Sequence, residues 1–126
     1  MDIDEKVPEE RNYFSEVEQR CPCCGKGQWQ REYLARINRV RRRLGEPMYV
    51  SSAYRCPEHN KKVGGERNSE HLKGWGGDFL TYSAQHKQRM RKAAEKEGFT
   101  RFGFMKNALH IGGDPNKPQN CDWGYA

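Results

Sequence analysis

No stretch of this chain approaches the roughly 20 consecutive apolar residues that carry a helix across a bilayer, which excludes a helical membrane span. The opening segment, MDIDEKVPEERN, is acidic and lacks the apolar core of a secretory leader. The expectation is a protein made in the cytoplasm that depends on some other route if it acts outside. Apolar residues are scarce at 34%, charged residues reach 32%, and the mean hydropathy is −1.16. That balance approaches a disordered chain, but 11% aromatics with three tryptophans supply one packed core. The 126 residues accommodate one domain and not two. Repeats and low-complexity runs are absent. Net negative charge is absent too: at +6 and a pI near 9.2, the surface favours an anionic partner. Nucleic acid, an acidic membrane surface and an anionic wall polymer all satisfy that condition, and charge does not choose among them.

An even cysteine count is also missing. Cys21, Cys23, Cys24, Cys56 and Cys121 make five, which together with the missing leader argues against an all-disulfide framework. The run CPCCGKG resembles a zinc-knuckle turn, with Cys21 and Cys24 at C-x-x-C spacing ahead of Gly25. There is no second C-x-x-C, so Cys56 and Cys121 are the candidates to complete a structural site. The alternatives are reduced, partly buried thiols or, in an oxidising compartment, a disulfide from the cluster to Cys56.

The pattern of elements is mixed. Residues 1–12 read as a flexible polar arm and 13–126 as a single domain. Ser15 is a cap for a short turn over SEVEQ. A helix is expected over 28–44, where Leu34, Ile37, Val40 and Leu44 make one apolar stripe and Gly45 and Pro47 end it. The arginines of VRRRL fall around its outer faces, where a solvated surface is a simpler reading than a nucleic-acid contact. MYVSS, 48–52, reads as a strand. Residues 54–77 read as a long irregular loop carrying five glycines, a length that points to function. A strand resumes at 78–81, and a helix starts at Ser83 and stops at Gly98. Two short strands, 102–105 and 108–111, join at Lys106 and Asn107. The tail is turn-rich, with aromatics expected to fold back. This order predicts an α+β fold, a small antiparallel sheet with flanking helices.

Histidine is scarce as well: there are four. His86, in a charged helix, reads as solvated, and His59 as a loop hydrogen-bonding group. His71 and His110 differ. His71 sits in the glycine-rich NSEHLKGWGGDF, and His110 in an apolar strand with Leu109 and Ile111 facing the other way. With Asp78 they form two imidazoles and one carboxylate, the donor set of a catalytic zinc with one position left for water. No HExxH is present, so His71 and Asp78 would converge across a turn and a strand, with Gly74, Gly76 and Gly77 easing the turn. The competing reading is that His110 is a satisfied core residue.

Three separated segments carry a resemblance. S69-E-H-L-K-G-W-G-G-D78 resembles the S-x-H-x-x-G-x-A-x-D motif of the zinc D-Ala-D-Ala carboxypeptidases, with Gly76 where alanine is usual. These belong to the LAS group, with the D-Ala-D-Ala dipeptidases, phage L-alanyl-D-glutamate endolysins and the hedgehog signalling domain. S52-A-Y-R-C-P-E-H-N-K-K-V-G-G65 resembles the SGYR-x-x-x-HN-x-x-x-GG segment of the same branch, and K106-N-A-L-H-I111 the segment with the last zinc histidine. D114-P-N-K-P-Q-N-C-D-W-G-Y125 is similar to a tail of phage-borne members, so the likeness spans roughly residues 13 to 125. It implies a hedgehog-like fold and one catalytic Zn2+ on His71, Asp78 and His110. It also implies that Arg55 contacts the substrate carbonyl or carboxylate, and that Ser69 touches substrate or orients its loop. Family members carry an acid three residues before the last histidine, where this chain has Asn107, or two after it, where it has Gly112. Asparagine can hold a water but not take its proton, so Asn107 is a substrate-side candidate and Asp114 or Glu70 the remaining candidate base. The implied function is a zinc peptidase acting on peptidoglycan stem peptides, as a carboxypeptidase or an endopeptidase, in phage or bacterial wall lysis. A monomer without specific nucleic-acid binding is expected. The alternatives are a zinc-retaining wall-binding module of weak or no activity, and a basic nucleic-acid binder.

Overall fold

The computed structural model describes residues 11–124. Most of the arm expected over residues 1–12, and Tyr125 of the tail, lie outside the described residues. The first turn, α1 (Glu16–Gln19), forms because Ser15 and Glu18 cap each other. The Ser15 hydroxyl accepts from the Glu18 N–H at 3.1 Å, and the Glu18 carboxylate accepts from the Ser15 N–H at 2.8 Å. Helix α2 (Arg31–Leu44) ends at Gly45, whose φ of 74° favours glycine. Its buried stripe runs through Tyr33, Ile37 and Val40, while the expected Leu34 and Leu44 lie at the margin. Then follow β1 (Val50–Ser52), α3 (Pro57–Lys62), a 3-10 turn (Glu70–Lys73), β2 (Gly76–Leu80), α4 (Ala84–Lys96), β3 (Arg101–Met105), β4 (Ala108–Gly112) and β5 (Cys121–Gly124).

The strands form one sheet in the order β1-β2-β4-β3-β5, antiparallel except where β5 runs parallel to β3. The fold is α+β. Alternation divides the sheet into two faces. Phe79, Phe102, Leu109 and Ile111 point to one side and enter a core shared with α2 and α4. Asp78, Arg101, His110 and the glycines at 76, 103 and 112 point to the other. Two buried polar tips anchor the core face to the backbone: the Trp29 indole N–H donates to the Gly76 carbonyl at 2.9 Å, and the Tyr33 hydroxyl to the Ile111 carbonyl at 2.7 Å.

Three expectations need correction. Residues 54–77 are not a continuous loop, because Pro57 at the first helical position and a Cys56 cap start the six-residue α3. That helix is too short for an apolar period to reveal. The tail holds a strand, β5, whose every second residue is polar or small. His86 is not solvated: it is buried, its ring stacks on Tyr82 at 3.9 Å, and its Nδ1 accepts the Tyr82 N–H.

Arg36, Arg39, Arg41 and Arg43 of α2 have intramolecular partners. Arg36 lies over the Phe99 ring and Arg41 over Tyr13, while Arg39 and Arg43 both reach Glu97, at 2.9 Å each. Glu97 is 13% exposed and ties α2 to the end of α4. Burial pushes its carboxyl up, and the two guanidinium groups outweigh that and hold it below the ordinary value. A carboxylate depressed on folding stabilises above its unfolded pKa, and that stability is lost as pH falls through the folded value. Glu97→Gln is therefore expected to cost about 1 kcal/mol at pH 7. The gap to the parent should narrow once the pH falls below about 4. Urea unfolding at the two pH values measures both; an equal gap at both would place the cost elsewhere.

Candidate metal centre

Strand pairing supplies half of the site. In the β2–β4 register Asp78 stands directly opposite His110, so their side chains rise side by side on the open face. The third donor comes from the 3-10 turn. Ser69 caps that turn, its hydroxyl accepting the His71 N–H at 3.2 Å, and Gly74 closes it with a φ of +75°. A Cβ at Gly74 would sit 2.6 Å from the Gln28 carbonyl oxygen, so glycine is required there twice over.

The result is a compact donor set. His71, Asp78 and His110 are all buried and offer ligand atoms within 4.8 Å of one another. His71 Nε2 lies 3.2 Å from Asp78 Oδ1, and His110 Nδ1 lies 2.7 Å from the same oxygen. The outer nitrogens are committed. His71 Nδ1 donates to the Ala53 carbonyl at 2.6 Å, which leaves the Nε2 lone pair facing inward. His110 Nε2 meets the Glu70 carboxylate at 2.9 Å, which leaves Nδ1 facing Asp78. Each imidazole thus has the outer acceptor that orients a metal-binding histidine. Burial pushes the Asp78 carboxyl up, but hydrogen bonds from His110 and His71 hold it well below the usual carboxylate range. Burial opposes the His110 imidazolium, and Asp78 and Glu70 outweigh it, raising its pKa. Two nitrogens and one carboxylate oxygen, buried and pre-oriented, fit a divalent metal ion with an open position.

Around these donors lies a cleft of about 710 Å³. Arg55 is in its wall. Its guanidinium is fixed by three contacts: Nε to the Ser52 hydroxyl at 3.0 Å, Nη1 to the Asn60 side-chain oxygen at 3.0 Å, and Nη2 to Asp78 at 3.4 Å. Ser69 also lines the cleft. Asn107 and Asp114 are not among the lining residues. Asn107 is exposed on the β3–β4 turn, its carbonyl accepting from Thr81 at 2.9 Å. Asp114 is buried, and its carboxylate accepts the Asn116 N–H at 2.9 Å, an Asx-type turn. Cys121 stands on β5 in the cleft wall, apart from the group formed by Cys21, Cys24 and Cys56.

Glu70 turns inward, toward His110. It is 3% exposed, and both oxygens are engaged: Oε1 by His110, Oε2 by Arg101 Nε at 2.9 Å and by the Asp114 N–H at 3.1 Å. Burial pushes its carboxyl up, and these donors outweigh that, leaving it lowered. Its carboxylate fills the space a side chain at 112 would need: a Cβ on Gly112 would lie 2.2 Å from Glu70 Oε1. Gly76 is explained in the same way, since a Cβ there would come within 2.7 Å of the His110 ring and 2.9 Å of Glu70 Cβ. Sequence reasoning missed Arg101 and Trp123. Arg101 is buried beside Glu70 and lies over the Trp123 ring at 5.0 Å, and Trp123 in turn sits 5.5 Å from the His110 ring. The alternation in RFGFM was the available signal, since it places Arg101 on the face of His110 rather than of Phe102.

Against known proteins, a family model described as Peptidase M15 matches residues 12–113. No curated protein matches the chain. The matched span contains all three donors, Arg55 and the whole of β2 and β4. A match over most of the sequence, around a buried and oriented donor triad, means that this chain belongs to the M15 peptidase family, a family of metallopeptidases.

Proposed function

We propose that the protein is a zinc peptidase that hydrolyses peptidoglycan stem peptides, acting as a monomer at the cell wall of a bacterium or of a phage host. The observation that carries the reading is the His71–Asp78–His110 set opening onto a cleft that also holds the fixed cation of Arg55. His71, Asp78 and His110 would hold a zinc ion, which would supply an activated water near neutral pH and a Lewis acid for the scissile carbonyl. Arg55 is held by Ser52 and Asn60, so its planar fork presents positive charge where a carbonyl oxygen gains charge or a terminal carboxylate docks. His71 and His110 keep their outer protons on Ala53 and Glu70, and Ser69 maintains the turn that aims His71. A net charge of +6 suits an anionic wall. Among the described residues no helix is long and apolar enough to cross a membrane.

One observation favours a second reading, a zinc-retaining wall-binding module of low activity. Asp114 is spent on its own turn and Glu70 on Arg101 and His110, so neither is placed to take a proton from water. Loss of a positioned base costs about 10²–10⁴-fold in rate. Arg55→Lys separates contact from mere charge: it should reduce turnover about tenfold or more, because an ammonium keeps the charge and loses the fork. Digestion of purified murein, with fragments identified by mass spectrometry, tests the whole proposal and names the bond. Hydrolysis that survives both chelation and His71→Ala would refute it, and zinc binding without cleavage of any muropeptide would select the second reading.

A further inference from the structure

A second donor cluster lies outside the cleft. The Sγ atoms of Cys21, Cys24 and Cys56 come within 4.8 Å of one another, and those of Cys21 and Cys56 are 3.6 Å apart. The chain builds the turn that gathers them. The Cys21 N–H donates to the Lys26 carbonyl and the Gly25 N–H to the Cys21 carbonyl, each at 2.8 Å. Gly25 makes this reversal with a φ of +69°. Two sulfurs also accept backbone N–H groups: Cys21 from Cys56 and Cys56 from His59, both at 3.4 Å. Such donors stabilise thiolate charge and fix each sulfur's direction, as outer partners do at metal sites. Cys21 is fully buried, whereas Cys24 is exposed, so an ion has a way in.

We propose that Cys21, Cys24 and Cys56 bind a structural zinc ion, separate from the His71–Asp78–His110 centre. Three thiolates choose a thiophilic ion and satisfy three of zinc's four tetrahedral positions. The ion would pin the turn ahead of α2 to the segment that carries Arg55, the residue immediately before Cys56. That segment is otherwise held by the Tyr54 N–H on the Gln19 carbonyl at 3.2 Å and the Arg55 N–H on the His71 carbonyl at 3.1 Å. Zinc here therefore stiffens one wall of the cleft from behind.

The test uses the full chain with the peptidase centre disabled, His71→Ala/His110→Ala, so it stands whether or not the protein cuts murein. Metal analysis should give one zinc per chain, and cobalt(II) loading should produce sulfur-to-cobalt charge-transfer bands in the near ultraviolet. Both should vanish when Cys21→Ser is added. Because that substitution touches a buried residue, the unmutated chain provides a second measurement. Thiol alkylation mapped by mass spectrometry should spare Cys21, Cys24 and Cys56 until a chelator is added, with Cys121 unaffected by the chelator. Absence of sulfur-to-cobalt bands, alkylation indifferent to chelator, or a Cys21–Cys56 disulfide in protein purified under reducing conditions would overturn the proposal.

Discussion

His71→Ala is expected to lower peptide hydrolysis by at least about 10³-fold while leaving the domain folded. A bound metal contributes several kcal/mol to the reaction, and each 1.36 kcal/mol is tenfold, so losing one of three ligands removes roughly that factor. The structural cost is smaller. The substitution strands the Ala53 carbonyl, which loses its donor at 2.6 Å, and opens a small void in a buried turn. An unsatisfied buried acceptor costs about 1–3 kcal/mol. The turn keeps its other supports, the Ser69 cap on the backbone N–H of residue 71 and the Trp75 N–H on the Glu70 carbonyl at 3.0 Å, neither of which needs the imidazole. The readouts are muropeptide turnover, bound zinc and the thermal midpoint, taken on one preparation. Lost turnover and metal with a modest fall in midpoint is the expected pattern. Full turnover with metal lost would remove the metal from the reaction altogether.

The same residue shows what the sequence carries openly and what it hides. His71 and Asp78 were legible because a glycine-rich turn between a histidine and an aspartate is unusual and matches a family motif. Their grouping with His110 came from the donor types and the resemblance, not from any local pattern. It depends on a register in which residues 78 and 110 face each other across strands separated by a whole helix, and pairing of that range leaves no local mark. The direction of Glu70 was hidden for a related reason. In a segment read as an irregular loop, no period says which way the neighbour of a ligand points. In a 3-10 turn successive side chains are about 120° apart, so Glu70 and His71 can both address His110, one on each ring nitrogen's side. The long helices were readable from apolar spacing and glycine stops. Helix α3 and strand β5 were not, since six and four residues are too few to display a period.

The largest stability effect is expected at Glu70. Its carboxylate holds Arg101, His110 and the Asp114 N–H together beneath the sheet, and its partner Arg101 has 9% of its side chain exposed against 2% for Glu70. Removing one member of a buried ion pair strands the other, at a cost of about 3–5 kcal/mol. For a domain whose total stability is about 5–15 kcal/mol, Glu70→Ala therefore brings the chain close to unfolding at ambient temperature. Metal affinity should fall as well, by about 10–100-fold, because His110 Nε2 loses the acceptor that orients it. The two effects can be separated. Glu70→Gln/Arg101→Met removes both charges at similar volume, so much of the stability should return, since buried pairs are often replaceable by apolar contact. Zinc affinity should remain low, because a neutral amide oxygen is a weaker partner for an imidazole N–H than a carboxylate. Chemical unfolding and zinc competition against a calibrated chelator measure the two quantities independently. If Glu70→Ala melts with the parent and holds zinc as tightly, the carboxylate is neither the keystone of the ion pair nor the group that aims His110. If the double variant regains zinc affinity along with stability, His110 is aimed by packing against Trp123 rather than by its hydrogen bond.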